Sequence, residues 1–278
     1  MNKEFELEPG KKHYRTIFLS DIHLGTKGCQ ADRLLDFLKQ HTCDELYLVG
    51  DIIDGWRMKS SIYWPQSHSN VLRRFLTLSK RGTRVVYVTG NHDEFLRKYS
   101  DLAIGNLELV DEAIHHTAAG ERLLVVHGDE YDVITRYHRW VAWLGDRGYS
   151  LLMHLNRYLN RLRSRFGYGY WSLSAYVKHR VKRAVNFISE FEEAIAHQCR
   201  KQGYDGVVCG HIHHAEIRDL TGTTYMNCGD WVESCTALVE DERGSFQILE
   251  WGRVAAAAAS ASNVVALPLD AEPERLRA

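Results

Sequence analysis

The sequence predicts an α/β protein, built as a mixed sheet or a two-sheet sandwich flanked by helices. Three observations predict it. Short apolar runs of strand composition recur along the chain, with helix-like apolar periodicity between the early ones. After residue 205 the text becomes strand-rich, with Gly and Asp turns. Between those regions a long stretch lacks any strand candidate and reads as an insertion into the core domain.

The first strand run is TIFLS (16–20), followed by a helix whose apolar face carries Leu34, Leu35 and Leu38. ELYLV (45–49) is the second strand, and Val71, Leu72, Phe75 and Leu76 mark the next helix. RVVYVT (84–89) and RLLVV (122–126) follow; such continuous apolar runs suit strands buried on both faces. DGVVC (205–209) resumes the strand text, and TTYMNCG, TALVED and SFQILEW complete it. The domain is expected to span 14–252, with 131–200 as a helical lid inserted in it. That lid has its apolar spacing in Leu151, Leu152, Leu155, Leu159 and Leu162. From Arg253 to Ala278 the chain is alanine-rich with few large side chains, and is expected to be a disordered tail without function.

Composition excludes several classes. The 278 residues are 45% hydrophobic and 26% charged with a net charge of −1, which argues against bulk attraction to nucleic acid; no nucleic-acid partner is expected. The six cysteines form no CxxC pair and sit mostly in apolar runs, as buried free thiols do. With no signal-peptide pattern, a reducing cytoplasm is the expected compartment. No run of about 18 apolar residues exists, so no membrane span is expected.

The chemistry lies just past the strands. TIFLS runs into DIH (Asp21, His23), ELYLV into GDIID (Asp51, Asp54), and RVVYVT into GNHD (Asn91, His92). RLLVV runs into HGD (His127), and DGVVC into GHIHH (His211, His213). In an α/β sheet the carboxyl ends of the strands share one edge, where ligands bind. Five polar clusters at five such ends can converge, although a lone HxH or GD is ordinary surface and turn chemistry. The spacing by two in Asp21/His23 and His211/His213 would put each pair on one side of extended backbone. Glycines before Asp51, Asn91 and His211 suit sharp turns and close backbone approach.

In order and type these motifs resemble the calcineurin-like metallophosphoesterases: D-x-H, GD-x-x-D, GNH-D/E, H-G and GH-x-H. The resemblance covers about 16–250, insertion aside. It implies a four-layer αββα sandwich of mixed sheets and a centre of two divalent metal ions. Asp21, His23, Asp51 and His213 would hold one ion. Asp51, Asn91, His127 and His211 would hold the other, with Asp51 bridging. His92 would be no ligand; it would stabilise the charged transition state or protonate the leaving oxygen, with Asp54 orienting it. Asp54 has the alternative of capping the following turn. Carboxylate, amide and imidazole donors suit Mn²⁺, the favoured ion, or Fe²⁺ or Zn²⁺.

Within that superfamily the chain looks most like the UDP-2,3-diacylglucosamine hydrolases. Trp56 follows the second motif, in GDIIDGW, where that family has a tryptophan near its substrate. A helical segment lies between HGD and GHIH, and its YWSLSAYVK supplies Ser172, Ser174 and Lys178 as substrate-binding candidates. Between Arg136 and Arg183 that segment carries eleven Lys or Arg and one acid, Asp146. A basic amphipathic lid with Trp140, Val141, Trp143 and Leu144 suits an anionic membrane surface and a nucleotide-linked lipid; a solvated helical face is the plain alternative. The resemblance implies hydrolysis of a pyrophosphate, usually with Mn²⁺, at the inner face of the inner membrane. The chain departs from the best-known branch of the family, which has GNRD and a Glu in the second motif. GNHD with Asp54 is the general phosphoesterase arrangement, so a soluble enzyme acting on nucleotides or other phosphoesters is the alternative reading.

Overall fold

The computed structural model describes residues 11–131 and 188–252. The lid candidates Ser172, Ser174 and Lys178, most of the expected insertion and all of the tail lie outside them. The described elements begin with β1 (Lys12–Leu19), α1 (Ala31–Gln40), β2 (His41–Val49), α2 (Gly55–Met58), α3 (Gln66–Arg81) and β3 (Arg84–Val88). A 3₁₀ turn at Glu94–Tyr99 leads to β4 (Leu102–Ile104), β5 (Leu107–Val110), β6 (Ala113–His116) and β7 (Arg122–Val125). After a helical segment at 188–201 come β8 (Gly206–Cys209), β9 (Glu216–Asp219), β10 (Thr224–Asn227), β11 (Thr236–Glu240) and β12 (Phe246–Glu250).

Two mixed sheets result, ordered β12-β11-β1-β2-β3-β5-β4 and β6-β7-β8-β10-β9. In the first, β1, β2, β3 and β5 are parallel; in the second, β7, β8 and β10 are. Strand periodicity explains the layering, because successive side chains point to opposite faces. Ile17, Leu19, Leu46, Leu48, Val85 and Tyr87 pack with Leu34, Phe37, Leu38, Val71, Phe75 and Leu78 of α1 and α3. The alternate residues Phe18, Tyr47, Val49, Val86 and Val88 face Leu123, Val125, Val208 and Met226 of the second sheet. Leu124, Val126, Val207, Cys209 and Tyr225 then turn outward onto Phe191, Ile195 and Cys199. The order is helix, sheet, sheet, helix, as the resemblance implies. Residues 188–200, placed by the sequence reading in the insertion, thus contribute to the outer helical layer.

All five strand runs chosen from the sequence are strands. One apolar assignment is corrected: Leu76 is 58% exposed, whereas Val71, Phe75 and Leu78 are buried. At 100° per residue Leu76 falls well off the stripe those three define. The cysteines are unpaired, five of them buried and Cys29 partly so. Among the described residues no helix is long and apolar enough to cross a membrane.

Candidate metal centre

The five motifs meet where the carboxyl ends of the two sheets come together. The DIH loop continues beside the GDIID loop as its strands did: Asp21 N donates to Gly50 O (3.1 Å), His23 N to Asp51 O (2.9 Å) and Leu24 N to Ile52 O (2.9 Å). Across the sheets Gly210 N donates to His127 O at 3.1 Å, which joins the HGD and GHIHH loops.

Five of the eight non-glycine residues with left-handed backbone among the described residues are Asp21 (φ 50°), His23 (53°), Asp51 (55°), His211 (71°) and His213 (55°). Each such residue costs roughly 1–3 kcal/mol, and such strain gathers at functional sites. It also changes the expected geometry. The motifs leave the strands through left-handed turns, so the extended backbone inferred from the spacing by two does not hold at Asp21/His23 or His211/His213. The convergence is produced by the turns.

The side chains form a closed set. Asp21 Oδ1 lies 3.2 Å from His213 Nε2 and 3.9 Å from His23 Nε2. Asp51 Oδ2 stands between His127 Nε2 at 3.4 Å and His23 Nε2 at 3.9 Å, and His92 Nε2 is also 3.9 Å away. The other carboxylate oxygens hold backbone: Asp21 Oδ2 accepts from His211 N (3.0 Å) and Asp51 Oδ1 from His92 N (2.7 Å). The rings of His127 and His211 meet edge-on with centroids 5.1 Å apart. The ligand atoms of Asp21, His23 and His213 lie within 4.8 Å of one another, and so do those of Asp21, Asp51 and His127.

A test of whether this set suits cations comes from its unpaired atoms. Asp21 Oδ1, His23 Nε2, Asn91 Oδ1 and His127 Nε2 are buried and have no hydrogen-bond partner, although buried polar atoms are normally satisfied. Four orphaned ligand atoms from three different motifs, all oxygen or nitrogen, are what divalent ions require. The imidazoles are turned to match. His127 Nδ1 bonds Val49 O at 3.0 Å and His23 Nδ1 bonds Asp54 Oδ2 at 3.2 Å, leaving each Nε2 aimed inward. The residues present fit a metal centre.

The buried carboxylates and imidazoles also shift one another's titration. Burial disfavours charge on His127, yet Asp51 beside it outweighs burial and lifts its pKa to about 10. His213 is likewise lifted to about 9 against its burial, by the Asp21 carboxylate 3.2 Å away. Asp51 is held well below the usual carboxylate range despite its burial, by His127 and then by His92 and His23.

Asp54 makes the capping contact and also stands beside His92. Its Oδ1 caps α2 by accepting from Arg57 N (2.8 Å), and it lies 3.0 Å from His92 Nδ1, off the line of a good hydrogen bond. Burial would raise its pKa, but His23 and His92 bring it below its ordinary value. Trp56 lies against the His92 ring (centroids 4.5 Å apart, 34°) and donates Nε1 to Glu94 Oε1 at 3.0 Å.

Some supporting residues were missed at the level of sequence. Asp93 is fully buried, accepting from Ile52 N (2.9 Å), Tyr87 Oη (2.7 Å) and Gly90 N, so it ties the second motif to the third. It stood in the GNHD text and could have been suspected there. Arg97 bonds Asp129 of HGD at 2.8 Å, linking the 3₁₀ turn to the other sheet; nothing in the local text signals that pair.

The calcineurin-like phosphoesterase family pattern matches residues 14–215. The chain belongs to the calcineurin-like phosphoesterases. As a member it is a metal-dependent phosphoester hydrolase, and the family fold implies divalent metals at this centre. Curated relatives include the UDP-2,3-diacylglucosamine hydrolase of Aeromonas salmonicida, 26% identical over 240 residues, covering 81% of this chain and 89% of that one. That of Neisseria meningitidis serogroup B is 24% identical over 239 residues, with 77% and 88% covered. Against the namesake from Blochmanniella pennsylvanica the match is 27% over 135 residues and spans about half (53%) of that protein. Among solved structures, YfcE, a phosphoesterase from E. coli, is similar at 14% identity and TM-score 0.42, covering 84% of this chain and 98% of that one.

Proposed function

We propose that this phosphoesterase uses two divalent ions, Mn²⁺ by preference, to hydrolyse the pyrophosphate of UDP-2,3-diacylglucosamine to a lipid monophosphate and UMP. The observation that carries the metal chemistry is the group of four orphaned ligand atoms at the meeting point of the strand ends. Asp21, His23, Asp51 and His213 would hold one ion, and Asp51, Asn91, His127 and His211 the other. When bound, the ions would neutralise phosphoryl oxygens and acidify the attacking water.

The chain's own residues supply orientation and a proton. His92 is set by its backbone N–H on Asp51, by Asp54 at Nδ1, and by the Trp56 and His23 rings on its sides. Its Nε2 faces the centre, where it would give a proton to the leaving oxygen. Trp56 offers a ring face to substrate, since its N–H is committed to Glu94.

The lipid substrate is supported by the names of the relatives, by Trp56 after GDIID, and by the basic, tryptophan-bearing segment between HGD and GHIH. That segment, with Ser172, Ser174 and Lys178, would cover the diphosphate and acyl chains and rest on the anionic inner face of the inner membrane from the cytoplasm. A second reading, a soluble phosphoesterase for nucleotides or other phosphoesters, is favoured by the His92–Asp54 pair, which serves phosphoester hydrolysis in general.

One comparison separates them. The Mn²⁺-loaded protein is given UDP-2,3-diacylglucosamine, UDP-glucose, a cyclic nucleotide and an aryl phosphate. Strong preference for the acylated substrate, lost in Asp51→Ala and His92→Ala, is expected. Equal or faster turnover of the non-lipid substrates would overturn the lipid assignment and leave the metal chemistry in place.

A further inference from the structure

Asn227, the last residue of β10, is fully buried and has no part in the ligand set. Both ends of its amide are used. Nδ2 donates to Gly210 O at 2.7 Å, and Oδ1 accepts from Gly229 N at 2.9 Å. Gly210 precedes His211, so the first bond sets the start of the loop bearing His211 and His213. Gly229 O accepts from Ser20 Oγ at 2.8 Å, and Ser20 precedes Asp21. Asp21 Oδ2 closes the ring by accepting from His211 N at 3.0 Å. The circuit runs from Asn227 through Gly210, His211, Asp21, Ser20 and Gly229 back to Asn227.

An amide suits both contacts, since the Gly210 carbonyl needs a donor and the Gly229 N–H needs an acceptor. The circuit also has little slack. A Cβ on Gly210 would come within 2.5 Å of Asp21 Oδ2 and 2.7 Å of Ser20 Cβ. Asp21, His211 and His213 are held in left-handed backbone, a conformation that persists only where its surroundings enforce it.

We propose that Asn227 is a positioning residue for the metal centre: it holds the His211–His213 loop against Asp21 and so sets metal affinity. This rests on the two-metal reading above. Residues that orient ligands typically change metal affinity about 10–100-fold when altered.

The test titrates the metal-free protein with Mn²⁺ by calorimetry, records the visible spectrum with Co²⁺, and follows thermal unfolding without metal. Asn227→Asp keeps the shape and removes the donor to Gly210 O. Thr16→Val serves as a control, removing a buried hydrogen bond to Glu240 (3.0 Å) in the sheet interior. Asn227→Asp is expected to weaken Mn²⁺ binding about tenfold or more and to shift the Co²⁺ bands. Thr16→Val is expected to lower the melting temperature and leave both metal readouts alone. Wild-type affinity and spectrum in Asn227→Asp would overturn the proposal. Should Asn227→Asp fail to fold, Ser20→Ala breaks the same circuit at Gly229 O; a weakened Mn²⁺ affinity upholds the proposal and an unchanged one overturns it. A wild-type protein that takes up no Mn²⁺ would overturn the two-metal reading itself, a result the variants cannot mimic.

Discussion

Gly50, just before Asp51, offers a direct test of how the backbone shapes the centre. Its φ is +73°, and a Cβ built there would overlap the His127 ring and lie 2.6 Å from His127 Cβ. These atoms sit at the base of a buried side chain whose Nδ1 is bonded to Val49 O, so His127 cannot swing aside without losing that bond. In Gly50→Ala the left-handed backbone costs about 1–2 kcal/mol. Forcing the overlap costs about 1–3 kcal/mol more. Together they come to about 2–5 kcal/mol, or about 4–20 °C in melting temperature for a domain of this size. Gly120→Ala is the matched control, with φ +88° and nothing within 4 Å of the added methyl. It bears the backbone cost alone, about 2–8 °C on the same scale. The assay pairs metal-free thermal unfolding with Mn²⁺ titration. Gly50→Ala should be the less stable of the two and should alone bind Mn²⁺ more weakly. A Gly50→Ala protein that melts no lower than Gly120→Ala and binds Mn²⁺ like wild type would refute the steric reasoning.

Asp54→Asn keeps the size of the side chain and removes the charge between His23 and His92; kcat is expected to fall about 10–100-fold with little change in melting temperature, measured by steady-state kinetics and calorimetry. Chelation should abolish activity and lower the melting temperature, and excess Mn²⁺ should restore both; at 100 times the dissociation constant one ion contributes about 2.7 kcal/mol, and an unchanged melting curve would contradict this. The third expectation concerns His115, buried between the sheets with Nε2 2.8 Å from Glu240 Oε2 and Nδ1 3.6 Å from Glu45 Oε2. Burial opposes its charge, but the hydrogen bond to Glu240 and the nearby Glu45 carboxylate prevail and its pKa is raised above 6.5. The stabilisation is therefore complete below the unfolded value of about 6.5 and is lost as pH rises through the folded value. In urea unfolding between pH 6 and 9, the stability gap between wild type and His115→Phe should narrow with rising pH, by at most about 1.4 kcal/mol per unit. The other histidines are common to both proteins and cancel in that difference. A gap independent of pH would show that His115 does not bind its extra proton on folding.

Much of the design is local and could be read from the text. The runs at 16–20, 45–49, 84–89, 122–126 and 205–209 are strands because β-branched and large apolar residues fill both faces, and each ends in its polar motif. The short strands β4 and β9 were not legible. β4 is exposed throughout, and β9 is exposed at three of its four residues, so burial imposed no pattern on them. Leu76 misled because an apolar residue can stand off the buried stripe without penalty.

By itself, then, the sequence determined the strand and helix periodicities, the types of the candidate ligands and the strand end at which each would stand. These follow from spacing along a few residues, since side-chain direction repeats every two residues in a strand and every 3.6 in a helix. Tertiary structure alone decided that the motifs turn through left-handed backbone. It also decided that Asp51 Oδ2 stands between His23 and His127, that Asp54 reaches both His23 and His92, and that Asn227 clasps a loop 17 residues away. Such pairings arise where two sheets of different chain segments meet. Their partners, like His115 and Glu240 at a separation of 125 residues, share no local period by which either could announce the other.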